Sequence, residues 1–141
     1  MVSPMANVNS VTLQEDSVME ITSMLDGNTL IVTKSQVIAP TVNVNSITLQ
    51  ENSVMDVATM LDGNQVKLES SRLKSAKMNV NSVTLEGESS VLDVKEIDMN
   101  SMMINGGEVQ SRIIRGNSVT VEAASNFSCS QLLDVNHIVR K

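Results

Sequence analysis

The sequence contains almost no aromatic residues: it has no Trp and no Tyr, and Phe127 is the single Phe among 141 residues. Sugar platforms, single-stranded nucleic acid grooves and the hot spots of protein interfaces rely on aromatic stacking. The sequence offers almost none of that contact surface. Its hydrophobic fraction of 41% is still large enough for a continuous core. A core of Val, Leu, Ile and Met suits a thin, regularly layered fold.

Basic residues and long apolar runs are also scarce. There are 10 Lys and Arg residues against 16 Asp and Glu residues, and the formal net charge is −6. This balance disfavours a phosphate-binding surface, so we expect no nucleic-acid partner. No run approaches the roughly 18 apolar residues of a transmembrane helix, and residues 1–6 lack the features of a secretion signal. We therefore expect no membrane span, and a cytoplasmic or virion-associated location is favoured.

A repeat of 36 residues organises the chain. The motif Asn-Val-Asn-Ser-Val-Thr-Leu at residues 7–13 recurs with one change at 43–49, unchanged at 79–85 and with three changes at 115–121. Residues 7–42 and 43–78 are identical at 17 of 36 positions. The chain is therefore predicted to contain one solenoid-like domain, 7–141, formed by the repeats 7–42, 43–78 and 79–114 and the partial repeat 115–141. Residues 1–6 are predicted to form an N-terminal edge or cap.

A series of asparagines divides each repeat into two rungs of about 18 residues. Its members follow one another at alternating intervals of 19 and 17 residues: Asn9, Asn28, Asn45, Asn64, Asn81, Asn100, Asn117 and Asn136. The residues two and four places after each asparagine are apolar in every rung, except at Arg140. An alternation of apolar and polar residues is typical of a strand with one buried face. The rungs are also rich in Val, Ile, Thr, Ser and Asn, which are poor helix formers.

Apolar positions recur about every six residues, which indicates three short strands in each rung. Such strands, separated by Ser, Asn, Asp and Gly corners, predict an all-β, single-stranded parallel β-helix (β-solenoid) of seven to eight rungs. We predict that the eight asparagines form a ladder of side-chain hydrogen bonds along one corner. Calcium bound by the Asp-x-Asn corners is disfavoured, because equivalent Asp residues lie two rungs, roughly 10 Å, apart. We predict no metal and no cofactor.

The residues with reactive side chains form no catalytic pattern. Cys129 aligns with the apolar Ile21 and Val57 and is predicted to be a buried small residue rather than a nucleophile. His137 follows a corner asparagine and is predicted to face solvent. Acidic residues gather at one corner, as in polysaccharide-cleaving β-helices, at Glu15, Asp16, Glu51, Glu86, Glu88 and Glu122. Because the sequence lacks aromatic residues to hold sugar, a solvated acidic ridge is favoured and no catalytic residue is predicted.

Two surfaces are candidates for contact with other molecules. The outward position three residues after the asparagine is apolar in three of the four even-numbered rungs, at Ile31, Met103 and Val139. This flank stripe reflects either strand propensity or a lateral contact between solenoids. The last rung holds Ile138 in one strand without a polar cap, so we expect its open edge to recruit another chain. At the other end, Pro4 lacks an N–H group and is expected to blunt the first edge.

The rung length, the aliphatic core and the pattern of residues 7–141 resemble those of bactofilin-type β-helices, which are cytoskeletal proteins that polymerise end to end. This resemblance rests on rung length and pattern and carries over no functional residue. It implies a non-enzymatic structural module that self-associates, as a filament subunit or as part of a virion or surface fibre. One alternative is a binding or adhesin module that uses one face of the rod to hold another protein. A polysaccharide-degrading enzyme is the other.

Overall fold

The computed structural model describes residues 2–122 and 124–141. These residues form eight parallel strands, one for each rung, and each strand pairs with the next along the chain. The strands are β1 (Val2–Leu13), β2 (Val18–Thr33), β3 (Gln36–Gln50), β4 (Val54–Glu69), β5 (Arg72–Glu86), β6 (Val91–Asn105), β7 (Gly107–Val121) and β8 (Ser125–Arg140). The described residues contain no helix. The predicted all-β solenoid is therefore confirmed.

Each rung is one bent strand whose paired residues fall into three runs. In β4, for example, residues 54–57, 60–63 and 65–69 pair with β5. Ala58 and Thr59 lie between the first two runs, where β4 has one residue more than β5, and Asn64 lies between the last two. The remaining corner connects consecutive strands. The three predicted segments of a rung are thus present, and they join into one continuous strand.

The first strand includes the segment that was predicted to be an edge or cap. Val2, Ser3, Met5 and Ala6 all pair with β2, and the register shifts at Pro4. Pro40 occupies the equivalent place in β3, where the register also shifts, and β3 pairs with strands on both sides. A proline at this corner is therefore compatible with a neighbouring rung. The expectation that Pro4 blunts the free edge of β1 stays a prediction.

The core consists of aliphatic columns that run along the solenoid. Val66, Val83 and Met102 are register partners in β4, β5 and β6, and none of them is more than 2% exposed. Neighbouring strands lie roughly 4.8 Å apart, so each side chain packs on the equivalent side chain above and below it. The main contacts of every strand are with its immediate neighbours. The stability of the fold is therefore a sum of interfaces between adjacent rungs.

A column of buried serines fills the corner between consecutive strands. Ser35, Ser53, Ser71 and Ser90 are at most 6% exposed. The backbone N–H of Ser35 donates to the hydroxyl of Ser53 (3.3 Å), and that of Ser53 donates to the hydroxyl of Ser71 (3.2 Å). Buried N–H groups need acceptors, and the serines supply them where strand pairing is interrupted. The column was not predicted, although its members recur at intervals of 18 or 19 residues.

Candidate functional site

The predicted asparagine ladder is present along one corner. In every rung after the first, Nδ2 of the asparagine donates to Oδ1 of the asparagine in the preceding rung, at distances from 2.8 to 3.4 Å. All eight side chains are exposed. The bonds all run in the same direction, so the ladder is polar. Within the ladder, Asn9 acts only as an acceptor and Asn136 acts only as a donor.

A second set of corner residues lies two places before the asparagines. Asn43 Nδ2 donates to Asp26 Oδ1 at 3.1 Å, between β3 and β2. Between β7 and β6, an Arg115 nitrogen lies 3.6 Å from Asp98 Oδ1. These two carboxylates therefore have protein partners in the adjacent rung. Among residues 2–122 and 124–141, no group of three or more His, Cys, Asp and Glu residues is placed to hold a metal ion.

The acidic corner carries lysines between its carboxylates. Ion pairs join Lys34 to Glu51 (3.3 Å), Lys67 to Glu86 (2.9 Å) and Lys141 to Glu122 (3.4 Å). The hydrogen bond to Glu86, followed by the negative charge of that residue, raises the pKa of Lys67 above its usual value. Each pair links adjacent rungs. The predicted acidic ridge thus carries both positive and negative charges.

The single histidine is exposed as predicted, whereas the single cysteine takes an inward position but is only half-buried. Cys129 pairs in register with the inward-facing Ser111, and its Sγ donates to the carbonyl oxygen of Leu132 at 2.9 Å. It is half-buried, because it belongs to β8, which among the described strands is covered on one side only, by β7. His137 is exposed and pairs in register with Ser118. The two residues belong to different sides of the rung.

The predicted flank stripe lies in one column of the solenoid. Met103 is 50% exposed, whereas Ile31 and Val139 are half-buried. Threonines separate them in the odd-numbered rungs, and Lys67 takes the place of the apolar residue in β4. Ile31 and Met103 are therefore four rungs apart, Met103 and Val139 are two rungs apart, and the three side chains form no continuous patch. Their role in a lateral contact stays a prediction.

The two terminal strands expose the cross-section of the core. Within the part of the chain that the structure describes, β1 pairs only with β2, and β8 pairs only with β7. Five of the eight large apolar residues with high exposure belong to these two strands: Val2, Met5, Leu132, Leu133 and Ile138. Their exposed fractions lie between 40% and 70%. The end surfaces thus combine unpaired backbone with apolar side chains.

Of these residues, only Ile138 was predicted to belong to an interface. Leu133 has the same place in its rung as Leu25 and Leu61, which are 1% and 0% exposed. Leu133 itself is 43% exposed. The difference comes entirely from the position of its rung at the end of the stack. An inward column position in the last rung is the sequence signal for Leu133 and Ile138. The other three residues, Val2, Met5 and Leu132, pair with Glu20, Met24 and Ile113, which are themselves exposed or half-buried.

The fold places the chain in the class of parallel β-solenoids. No protein family model, curated protein or solved structure matches it. Among the described residues, no helix is long and apolar enough to cross a bilayer.

Proposed function

We propose that this chain is a non-enzymatic structural module that self-associates, as a filament subunit or as part of a virion or surface fibre. The observation that carries the proposal is the composition of the end surfaces. Among the described residues, β1 and β8 each pair on one side only, and they hold side chains such as Val11 and Leu133 whose register partners Leu30 and Ile114 are buried in the core. An open strand edge is a template for pairing with another chain.

The physical gain from covering an end is of two kinds. A further strand restores the backbone hydrogen bonds that every internal rung makes on both sides. It also removes the exposed apolar side chains from water, which contributes on the order of 1 kcal/mol for each partly exposed residue. The flank offers much less, since its apolar side chains are separated by threonines. The ends are therefore the favoured contact surfaces.

Sedimentation velocity or light scattering over a range of protein concentrations tests this function. We expect the mass to rise from monomer at low micromolar to oligomers at high micromolar concentration. Ile138→Asp places a charge on the exposed core at the end of β8 and should keep the chain monomeric. His137→Asp places the same charge one residue away, on an outward-facing side chain, and should associate nearly as well as the wild type.

A binding or adhesin module is the second candidate function. It is favoured by Met103, which is 50% exposed on the flank in β6, a strand that pairs on both sides. If the wild-type chain stays monomeric at high micromolar concentration, self-association is wrong and this candidate takes its place. Met103→Lys and Ile31→Lys then serve to locate the surface. Both should weaken capture of a protein partner without lowering the melting temperature.

A further inference from the structure

We infer that copies of this chain stack head to tail, with β8 of one copy parallel to β1 of the next. The inference rests on the proposed function, because it requires that the chain associates through its ends. It specifies the polarity and the register of the contact. In this arrangement the eighth rung of one copy meets the first rung of the next as β2 meets β3 within the chain.

The polarity of the asparagine ladder supports this arrangement. Along the chain each asparagine donates to the rung before it, for example Asn28 to Asn9 and Asn136 to Asn117. Within the ladder, Asn136 therefore retains an acceptor that is not used, and Asn9 retains a donor. Head-to-tail stacking brings Asn9 of the next copy onto Asn136 and continues the ladder. Contact between two first rungs or two last rungs matches donor with donor or acceptor with acceptor.

The alternation of rung types leads to the same register. Even-numbered rungs carry Asp two places before the asparagine, and β8 has Asp134 there. Odd-numbered rungs other than β7 carry Asn at this place, and β1 has Asn7. Asp26 in β2 accepts a hydrogen bond from Asn43 in β3. In the stack, Asp134 accepts the equivalent bond from Asn7 of the next copy.

The apolar side chains of the two ends match in this register. In β2 and β3, Leu25 is paired with Val42 and Leu30 is paired with Ile47. The residues at the equivalent places are Leu133 and Ile138 in β8, and Ala6 and Val11 in β1. Head-to-tail stacking therefore lays the exposed face of Leu133 on Ala6 and that of Ile138 on Val11. It extends the same columns that are fully buried inside the chain.

The charges of the two ends are complementary. Residues 2–17 contain Glu15 and Asp16 and no Lys or Arg, whereas residues 135–141 contain Arg140 and Lys141, the latter paired with Glu122, and no Asp or Glu. Arg140 takes a column position that is apolar in the other rungs, for example at Val32. Its aliphatic stem covers the apolar edge, and its guanidinium reaches the carboxylates at the corner of the next copy. Contacts between like ends place these charges on charges of the same sign.

Disulfide trapping between copies tests the polarity and the register. All variants carry Cys129→Ser, which suits a column that already contains Ser3, Ser75 and Ser111. In the proposed register, Ser10 of one copy lies opposite His137 of the other, as Ser46 lies opposite Thr29. Neighbouring strands are roughly 4.8 Å apart, which is within the range of Cα separations that a disulfide spans. Both positions are exposed, so the substitutions leave the core intact.

The expected result is a covalent heterodimer when Ser10→Cys and His137→Cys proteins are mixed and oxidised, with little dimer from either protein alone. In the control, Ser130→Cys takes the place of His137→Cys. Ser130 lies on another side of the same rung, so its mixture with Ser10→Cys should give no covalent dimer. Homodimers of either single variant overturn the polarity. Oligomers seen by light scattering without the mixed disulfide also overturn the inference while leaving self-association standing. A monomeric wild type overturns both.

A matched pair of ladder variants gives an independent measurement. Asn9→Asp keeps the oxygen that accepts from Asn28 and removes the donor that faces Asn136 of the preceding copy. We expect it to weaken association by about tenfold, which is the effect of one hydrogen bond, while the melting temperature of the monomer is unchanged. Asn136→Asp does the reverse: it keeps the acceptor for the next copy and loses the bond to Asn117. Equal association constants for the two variants would contradict the proposed polarity.

Discussion

At the scale of single residues, the buried serines provide the polar groups that the corner between strands needs. Ser53 is 0% exposed, its hydroxyl lies 2.8 Å from the carbonyl oxygen of Val32, and it accepts from the N–H of Ser35. Ser53→Ala removes the acceptor and leaves that N–H unpaired. We expect the free energy of unfolding to fall by about 1–3 kcal/mol, measured by urea denaturation.

Ser89→Ala is the matched control, because Ser89 is an exposed serine at the same kind of corner. Its effect should stay within about 0.5 kcal/mol. Similar losses for the two variants would mean that the hydroxyl of Ser53 contributes nothing beyond its volume. The constant spacing of the serines was visible in the sequence. Their burial was not, because serine is common at exposed turns and only stacking of the rungs encloses it.

At the scale of the strand, the alternation of inward and outward residues decides which substitutions are tolerated. Val83 is 0% exposed and lies between Val66 and Met102, whereas Thr84 is partly exposed. Val83→Asp buries a carboxylate without a partner, and we expect a loss of several kcal/mol or failure to fold. Thr84→Asp should cost far less, because its carboxylate reaches water beside Lys67. Thermal melting of the two variants measures the difference, and equal melting temperatures would show that the assignment of faces is wrong.

The strand scale also shows how far the sequence determines the site. The positions of the ladder asparagines and of the inward columns follow directly from the period, since every rung repeats the same contacts. The exposed ends do not follow from the period. Leu25 and Leu133 have equivalent neighbours within their rungs, and only the number of adjacent rungs separates a buried side chain from an exposed one. Pro4 gives a second example. Its missing N–H predicts a blunted strand edge, but Pro40 lies at the equivalent corner of β3, and β3 pairs with strands on both sides.

At the scale of the whole molecule, contacts between adjacent rungs predict a gradient of stability along the stack. Strands in the middle have two neighbours, while β1 and β8 have one each among the described residues. In such a stack the ends open locally at lower free energy than the centre. Hydrogen exchange at low protein concentration should therefore be fastest in β1 and β8 and slowest in β4 and β5. Uniform protection would mean that the rungs unfold only together.

The concentration dependence of this gradient distinguishes the modes of association. Head-to-tail stacking gives β1 and β8 a second neighbour each, so protection of both strands should rise with concentration, while that of β4 and β5 stays constant. A contact between two last rungs protects β8 alone. A contact through the flank stripe leaves the backbone edges of β1 and β8 without a second neighbour, so it should not protect the two strands together. Ile138→Asp supplies the control. Because this variant should not associate, the hydrogen-exchange rates of its β1 and β8 should not change with protein concentration.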